Sequence, residues 1–427
     1  MGSISRWMRT LGLALLLAIS MGCGLTGQMA TPAPATSAPP TEAPLPTPTE
    51  SPGPTRTSTQ PTLLALPNGK ALLVTQFQMM DAEHGWALAS VEGGMLDLVL
   101  HTGDGGQTWQ IVTPPEDAPE GGAPAKIASA AFFDAGHAWV VYYQSFPVGG
   151  ISAIWATADG GVNWTSSQAV DTQADMGTMP IFSVEHFQFS SPTQGWLLLE
   201  LDAGMGHSWV ALYRSSDAGN TWQRIQEPPG SDEEGDLHYC CRSGLDFNQE
   251  GNGLITFSPG PIPDVFINWT FDEGMTFTSQ SLPAPPENPG LFTENTPFCA
   301  TYYPHLFPNG KALVAVGCLD EDYQVFAQAY VYHSQDGGQN WQMQPYPGGE
   351  ALFLNPQLGW SLGDTLQRTQ DGGASWETMG PGNTLAFISF LGPQMGYSIK
   401  DLPAGQALMR SQDGGNTWQP VQTTISP

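Results

Sequence analysis

The sequence predicts an all-β protein, a seven-bladed β-propeller built from four-stranded antiparallel blades. Three observations predict it. A motif typified by HSQDGGQNW (333–341) occurs seven times, a second motif typified by QGWLLLE (194–200) precedes each copy, and no stretch after residue 62 shows helical periodicity. Short β-rich segments bounded by Gly, Pro, Asn or Asp separate the motifs, so each unit is predicted to be a four-stranded meander.

The first motif is predicted to be the hairpin between the third and fourth strands of a blade. Its Asp side chain can accept backbone N–H groups of its own turn, and the Gly two residues later supplies a positive φ. The closing Trp is predicted to start the outer strand. The seven aspartates are Asp104, Asp159, Asp217, Asp272, Asp336, Asp371 and Asp413. Six copies close on a tryptophan, namely Trp109, Trp164, Trp222, Trp341, Trp376 and Trp418.

The second motif is predicted to start the second strand of each blade. Five copies are clear: HGWALAS, HAWVVYY, QGWLLLE, LGWSLGD and MGYSIKD; GNGLITF and NGKALVAV are weaker. Together the two motifs hold ten of the 14 tryptophans. The aspartates lie between 35 and 64 residues apart, which indicates one unit with loops of different length rather than a solenoid of fixed period.

The pattern S/T-x-D-x-G-x-T-W resembles the Asp-box, or bacterial neuraminidase repeat, of sialidases, sortilin-type receptors and some xyloglucan-cleaving enzymes. The pairing of this box with a preceding GW motif is most similar to propellers of the photosystem II assembly and stability factor family. The resemblance covers residues 63–427. It implies a propeller that assists a membrane protein complex, although Asp-boxes are shared among unrelated activities.

The N-terminal residues predict export. Arg6 and Arg9 precede a short apolar run and the sequence MGC (21–23), which is the layout of a signal peptide over residues 1–22. The junction before Cys23 resembles a lipoprotein cleavage site, although Ser20 stands where such sites usually have Leu. Residues 23–62 are predicted to be a Pro/Thr-rich tether, of which 31–61 contain ten prolines and could reach about 100 Å. We therefore expect a domain anchored by lipid outside the cell membrane, with simple secretion as the alternative.

The charge of the domain limits its partners. After residue 62 the chain has nine Lys and Arg and 38 Asp and Glu, a net charge of about −29. Such a field disfavours nucleic acid and anionic lipid surfaces, and favours cationic proteins or divalent cations. Solubility alone is the simpler interpretation. We expect no cofactor and no structural metal site, since no C-x-x-C pair with zinc spacing is present.

The four cysteines after Cys23 allow three pairings in an exported protein. The segment FPNG (307–310) is predicted to be a tight turn in which Phe307 opposes Gly310. In that register Cys299 opposes Cys318, within disulfide range. Cys240 and Cys241 are left as a strained vicinal disulfide or two free thiols.

A sialidase needs three arginines that converge on the substrate carboxylate, and this chain cannot supply them. Five arginines follow residue 62. Arg214, Arg368 and Arg410 begin aspartate motifs and Arg224 follows Trp222, so these four are predicted to lie near hairpins or on outer strands. Hydrolysis by paired carboxylates is harder to exclude, because acidic residues are abundant.

A binding site is predicted on the face opposite the hairpins. The long insertions 114–126, 227–241, 283–299 and 319–328 all fall in second-to-third-strand loops or between blades, and long loops on a rigid scaffold often bind ligands. Glu185 and Arg242 occupy similar positions before two successive second motifs, which predicts one height on adjacent inner strands. They form either a local ion pair or one wall of a channel-mouth site.

These observations predict a non-catalytic propeller that binds a protein or helps to assemble a membrane complex. The alternative is a glycoside hydrolase with two carboxylates at the channel mouth. A carboxylate pair near the channel would favour the enzyme.

Overall fold

The computed structural model describes most of the chain after residue 59, and all seven predicted blades are present. The described residues are 60–119, 124–144, 150–167, 170, 183–204, 207–226, 237, 242–257, 265–292, 299–319 and 326–427. The predicted signal peptide, Cys23, nearly all of the tether, Cys240 and Cys241 lie outside them. None of the described residues belongs to a helix long and apolar enough to cross a membrane.

Seven antiparallel sheets form the seven blades, numbered in chain order. Blade 1 contains β1 (Leu72–Met79), β2 (Gly85–Val91), β3 (Leu98–Thr102) and β4 (Thr108–Ile111); blade 2 contains β5 (Ile127–Phe132), β6 (Ala138–Gln144), β7 (Gly150–Thr157) and β8 (Thr165–Ser166); blade 3 contains β9 (Ser183–Phe189), β10 (Gly195–Gly204), β11 (His207–Ser215) and β12 (Gln223–Gln226). Blade 4 contains β13 (Arg242–Phe247), β14 (Gly253–Phe257), β15 (Phe266–Thr270) and β16 (Thr278–Ser281); blade 5 contains β17 (Cys299–Thr301), β18 (His305–Phe307), β19 (Lys311–Leu319), β20 (Phe326–Ser334) and β21 (Gln342–Pro345). Blade 6 contains β22 (Glu350–Phe353), β23 (Gly359–Leu362), β24 (Thr365–Thr369) and β25 (Glu377–Pro381); blade 7 contains β26 (Leu385–Phe390), β27 (Gly396–Leu402), β28 (Gly405–Ser411) and β29 (Gln419–Pro420). A last strand, β30 (Thr424–Ser426), joins blade 1.

The first strand of each blade lies toward the centre of the ring. Contacts link β5 with β9, β9 with β13, β13 with β18, and β26 with β1. Hydrophobic clusters lie between successive blades, where Leu and Val side chains of one sheet meet those of the next. These interfaces bury the apolar faces that a single blade cannot bury alone.

The tryptophan of the second motif fastens one blade to the next. Trp196 of blade 3 is fully buried and stacks on Phe247 of blade 4, with ring centroids 4.0 Å apart and planes 2° from parallel. Its indole N–H donates to the carbonyl oxygen of Glu273 at 3.0 Å. The same stack joins Trp139 to Phe189 at 3.6 Å and Trp360 to Phe390 at 3.8 Å. The motif therefore supplies a buried aromatic contact and a hydrogen bond across the interface.

The glycine that precedes this tryptophan is required by the same packing. A Cβ added to Gly195 would lie 2.6 Å from the ring of Phe189, and one added to Gly359 would lie 2.4 Å from the ring of Phe353. In blades 3, 4, 6 and 7 the phenylalanine of the first strand thus covers the glycine of its own blade, where no side chain fits.

All seven aspartate turns have the same hydrogen bonds, as predicted for a structural turn. In each, the Ser or Thr two residues before the Asp donates its hydroxyl to Asp Oδ1 at 2.8–3.0 Å, and the backbone N–H four residues after the Asp donates to the same oxygen at 2.8–2.9 Å. The Gly two residues after the Asp has φ between 82° and 100° in all seven copies. The residue directly after the Asp also has a positive φ, including Ala218 at 62° and Glu273 at 64°, which the sequence reading missed.

The closing tryptophans are less buried than those of the second motif. Trp109 is 3 % exposed, because Ile425 of β30 pairs beside it in parallel register, whereas Trp376 and the other four are only half-buried. The outer strand begins at the residue after the tryptophan in blades 2, 3, 5, 6 and 7.

We expect Asp371→Ala to lower the free energy of unfolding by about 1–2 kcal/mol, because Thr369 Oγ1, the Ser375 N–H and Ser375 Oγ all lose their acceptor. Asp371→Asn keeps one acceptor oxygen and should lose less. Chemical denaturation of both variants measures the difference, and an Asp371→Ala variant as stable as the parent would contradict a structural role for the turn.

The chain closes its ring at the interface of blades 7 and 1 with contacts that no sequence motif predicted. The Met79 N–H donates to Ser389 Oγ at 3.0 Å, and the Val74 N–H donates to Gln406 Oε1 at 2.7 Å. Strand β30 then crosses from blade 7 to pair with β4. The first and last blades are therefore joined at the inner strands and again at the outer edge.

Cys299 and Cys318 form a disulfide between β17 and β19, and they pair directly in the strand register. The predicted turn beside them is wrong, however. Phe307 pairs with Lys311 rather than Gly310, because Pro308–Gly310 form a 3-10 turn with Asn309 at φ 64°. An extra residue between Thr301 and His305 shifts the register back by one, so the two deviations cancel before the cysteines.

Candidate functional site

The two faces of the propeller differ in construction. The N–H of the residue after each Asp donates to a carbonyl in the turn between strands one and two of the same blade, at 2.7–3.1 Å in all seven blades. This fixes both sets of turns on one side, here called the Asp-box face. The insertions 114–126, 227–241, 283–299 and 319–328 connect strands at the opposite side, here called the loop face. Of these insertions the structure describes 114–119, 124–126, 237, 283–292, 299, 319 and 326–328.

Glu185 and Arg242 meet on adjacent inner strands near the loop face. Arg242 Nε and Nη2 donate to the two carboxylate oxygens of Glu185 at 2.5 Å and 2.8 Å, and Nη1 donates to the carbonyl oxygen of Leu237 at 3.0 Å. The Arg242 side chain is 2 % exposed and that of Glu185 is 17 % exposed. A bidentate pair with so little exposure is a strong charge-assisted contact.

Bulges in both strands bring the pair together. Glu185 is the extra residue between Val184 and His186 in the register of β9, and Ser243 is the extra residue beside Arg242 in β13. Such bulges re-aim side chains at the rims of closed sheets. Each nitrogen of the guanidinium donates within the protein, so a ligand could bind Arg242 only if the pair opened. A binding role for Glu185 and Arg242 stays a prediction.

Side chains farther along the inner strands join successive blades. Four residues of the inner strands pair with the residue at the tryptophan position of the second motif in their own blade. They are Gln188, Asp246, His305 and Ser389. Each of them reaches the backbone of the next blade: Gln188 bonds the N–H and carbonyl of Phe247, Asp246 Oδ2 accepts the Leu306 N–H, His305 Nε2 donates to the Ala351 carbonyl, and Ser389 bonds Met79. These four residues are here called the inner latches.

Asp246 is the charged latch and connects three blades. Its Oδ1 accepts a hydrogen bond from Gln188 Nε2 of blade 3 at 2.6 Å, and its Oδ2 accepts one from the Leu306 N–H of blade 5 at 2.7 Å. Burial raises the pKa of the carboxyl to about 6, and these hydrogen bonds only partly oppose the effect. The sequence reading missed Asp246; its place opposite the Leu254 position of the second motif was the available signal.

Tyr303 fills the space between these inner strands. The Tyr303–Pro304 segment lies against Gly244, where an added Cβ would be 2.6 Å from Pro304 Cδ and 2.7 Å from a ring carbon of Tyr303. The tyrosine ring lies 5.8 Å from that of His186 and 6.0 Å from that of His305. A residue of blade 5 thus crosses blade 4 to contact blade 3, and it can do so because residue 244 has no side chain.

Side-chain and backbone contacts hold both ends of the insertion between blades 1 and 2. Glu116 is 5 % exposed, forms an ion pair with Lys126, and accepts a hydrogen bond from the Trp155 indole N–H at 2.7 Å. Leu96 forms a parallel bridge with Lys126. Both Lys126 and Arg242, which lie on the loop face, therefore already have carboxylate partners.

The arginines that begin aspartate motifs lie at the hairpins, as predicted. Arg214 Nη1 pairs with Glu273 Oε2 at 2.6 Å, and Arg368 pairs with Glu377 at 2.7 Å while donating to the Pro393 carbonyl. They lie on the Asp-box face, away from Arg242, so the arginines that the structure describes form no triad. Within the described part of the chain no group of three or more His, Cys, Asp and Glu side chains could hold a metal ion.

Comparison with known proteins supports the fold and the repeat. The profile of the BNR/Asp-box repeat matches residues 332–343. No curated protein is significantly similar to the chain in sequence. Among solved structures, a propeller described as YCF48 bound to D1 peptide is 17 % identical, with a TM-score of 0.50, and the match covers 84 % of this chain and 96 % of that one.

Two further solved structures have lower TM-scores. YCF48 from Cyanidioschyzon merolae is 16 % identical over 83 % of this chain and 96 % of its own, with a TM-score of 0.47. A polysaccharide lyase described as PL25 ulvan lyase is 12 % identical over 83 % of this chain and 94 % of its own, also with a TM-score of 0.47. At these identities the likeness concerns the fold alone, so the chain is a seven-bladed propeller with Asp-box repeats, similar in fold to YCF48.

Proposed function

We propose that this protein is a non-catalytic propeller that binds a protein partner on its loop face, at the outer side of a cell membrane. The observation that carries the proposal is that two carboxylates of the inner strands already bind groups of neighbouring blades. The described inner strands carry three of them, Glu185, Asp246 and Glu350. Glu185 is held by Arg242, and Asp246 holds Gln188 and Leu306.

This arrangement supports binding over hydrolysis. A glycoside hydrolase needs two carboxyl groups that face a substrate and stay free to exchange protons or attack it. Glu185 and Asp246 instead hold neighbouring blades together, and using either for catalysis would disrupt the ring. A peptide ligand on one structure of the same fold, YCF48 bound to D1 peptide, is compatible with a protein partner here.

The loop face is the side on which we place the partner. Its insertions contain 13 Asp and Glu but one Lys, Lys126, and this lysine is already paired with Glu116. The partner surface that such a face fits is positively charged, and association should weaken as salt rises.

A photo-reactive amino acid placed on each face tests the proposal. Met95 lies in the loop between β2 and β3 on the loop face and is 39 % exposed; Val162 lies in an aspartate turn and is 77 % exposed. In intact cells we expect Met95 to cross-link to a protein and Val162, the control, not to. Cross-linking at Val162 alone, or hydrolysis of a polysaccharide by the purified domain, would contradict the proposal.

The membrane anchor has its own test. If Cys23 carries lipid, Cys23→Ala should move the protein from the membrane fraction to the soluble one, because it removes the acyl chains, whose burial in the bilayer contributes about 0.8 kcal/mol per CH₂. Fractionation followed by immunoblotting measures the change. An unchanged membrane fraction with the leader removed would refute the lipid anchor and leave the loop-face proposal untouched.

A further inference from the structure

Two histidines lie in one sector of the ring beside the inner latches, His305 buried and His186 half-buried. His305 of blade 5 is 7 % exposed, and its Nε2 donates to the Ala351 carbonyl of blade 6 at 3.1 Å. His186 of blade 3 donates from Nε2 to Gln188 Oε1 at 3.3 Å. The ring of Tyr303 lies between them, 5.8 Å from the ring of His186 and 6.0 Å from that of His305. The sector therefore spans the inner strands β9, β13, β18 and β22.

The rest of the ring is held differently. Blade 1 is joined to blade 2 by Gln76, whose amide bonds the N–H and carbonyl of Ala130, and blade 7 is joined to blade 1 by Ser389. Neither side chain changes charge with pH. Among the four inner latches only Asp246 and His305 are ionisable, and they lie in blades 4 and 5. At the junction of blades 1 and 2 the ionisable contacts come from other positions, since Asp97 accepts from the Ala128 N–H and His101 donates to the Ala135 carbonyl.

We propose that the sector from blade 3 to blade 6 is an acid-sensitive hinge, in which protonation of His186 and His305 loosens the inner strands while the junctions of blades 7, 1 and 2 stay closed. A second proton on His305 would place a charge beside Phe353, whose ring lies 5.7 Å away, and beside Tyr303. A buried charge without a counter-ion is costly, so the strands separate enough to admit water.

The surrounding ionisable groups set the direction of the effect. Among the described side chains on the elements packed around the two imidazoles they are Glu185, Glu200, Arg242, Asp246, Tyr303, Lys311 and Glu350. Glu185 and Arg242 neutralise each other. Burial lowers the pKa of His186 to about 3 and that of His305 to about 4. Both pKa values lie below that of an unfolded histidine, which is about 6.5. The unfolded or opened state therefore binds more protons than the folded state, and the folded state loses stability as the pH falls from about 6.5 toward 4.

Protonation of Asp246 has the opposite effect on the stability of the folded state. Because its pKa in the folded protein lies above that of an unfolded Asp, the folded state takes up its proton first, and acidification between about pH 6 and 4 favours the folded state at this residue. The two histidines destabilise the folded state in acid and the one carboxylate stabilises it, so the net effect is a loss of stability as the pH falls. The latches at 188, 246 and 305 also support the strands that carry Glu185 and Arg242, so the hinge would release the loop-face ion pair.

Hydrogen exchange across a pH series tests the hinge in the full protein. After correction for the rates of unstructured reference peptides, protection of β9, β13, β18 and β22 should fall between pH 6.5 and 4 by up to about tenfold per pH unit for each proton taken up. Protection of β1, β5 and β26 should change less. An even loss through all seven inner strands would overturn the proposal, and this measurement needs no variant.

Matched substitutions show which side chains take up the protons. His186→Gln and His305→Gln each keep a donor in the place of Nε2 and cannot be charged, so the double variant should lose most of the acid slope. His137→Asn is the control, since His137 lies in a turn of blade 2 with Asp134 and outside the sector. Asp246→Asn should steepen the loss, because the opposing carboxylate is gone. A double histidine variant with the slope of the parent would overturn the assignment.

Discussion

Trp196→Ala should lower the free energy of unfolding by about 3–5 kcal/mol, the cost of removing a large buried aromatic side chain. Trp196 is fully buried, stacks on Phe247 at 4.0 Å and donates to the Glu273 carbonyl. The substitution leaves a cavity between blades 3 and 4 and a carbonyl without its donor. Since domains are typically stable by 5–15 kcal/mol, such a loss would leave a marginal fold.

Trp376→Ala is the matched control for this prediction. Trp376 closes an aspartate turn and is only half-buried, and its indole N–H bonds the Gly373 carbonyl of its own turn. Its removal should therefore cost clearly less than that of Trp196. Equilibrium denaturation of both variants gives the comparison. Equal losses would show that stacking between blades is not the larger source of stability.

Arg242→Ala should be about as destabilising, by roughly 3–5 kcal/mol, because it leaves the Glu185 carboxylate with little exposure and no counter-charge. It also removes the donor to the Leu237 carbonyl, which holds part of the 227–241 insertion. The cost comes from the orphaned charge, so it should fall when both partners are replaced.

The double variant Glu185→Leu/Arg242→Met separates the two effects. Apolar side chains of similar volume often replace a buried ion pair at little net cost, so we expect the double variant to recover most of the stability lost by Arg242→Ala. A thermodynamic cycle from chemical denaturation measures the coupling. If the double variant is as unstable as Arg242→Ala alone, the pair is not the source of the loss. A double variant that folds but no longer cross-links at Met95 would assign the pair to the binding surface.

The aspartate motif illustrates what can be predicted without tertiary structure. The hydrogen bonds of its Asp side chain run between residues at most four positions apart, as in Thr369, Asp371 and Ser375, so the local sequence contains every partner of the carboxylate. The four-stranded blade and the count of seven follow from the same repetition. For the same reason the position of Arg214 and Arg368 at the hairpins could be predicted.

The strand register beside the disulfide could not be predicted from the local sequence alone. Cys299 and Cys318 do pair, but the turn that joins their strands is one residue longer than predicted, and the Tyr303–Pro304 bulge compensates. A bulge depends on what lies beside the strand, here Gly244 of the neighbouring blade. Propensity within the segment does not specify it.

By itself, the sequence determined the all-β class, the seven blades, the aspartate turns and the face that carries the insertions, because these depend on motifs and spacing along the chain. Only the tertiary structure decided that Arg242 is buried against Glu185, that Asp246 connects three blades, and that Tyr303 reaches His186. Each of these contacts joins residues 57 or more positions apart, and their burial, like the raised pKa of Asp246, depends on how neighbouring blades pack. The physical reason is that a blade is defined by its own residues, whereas the space between two blades is defined by both.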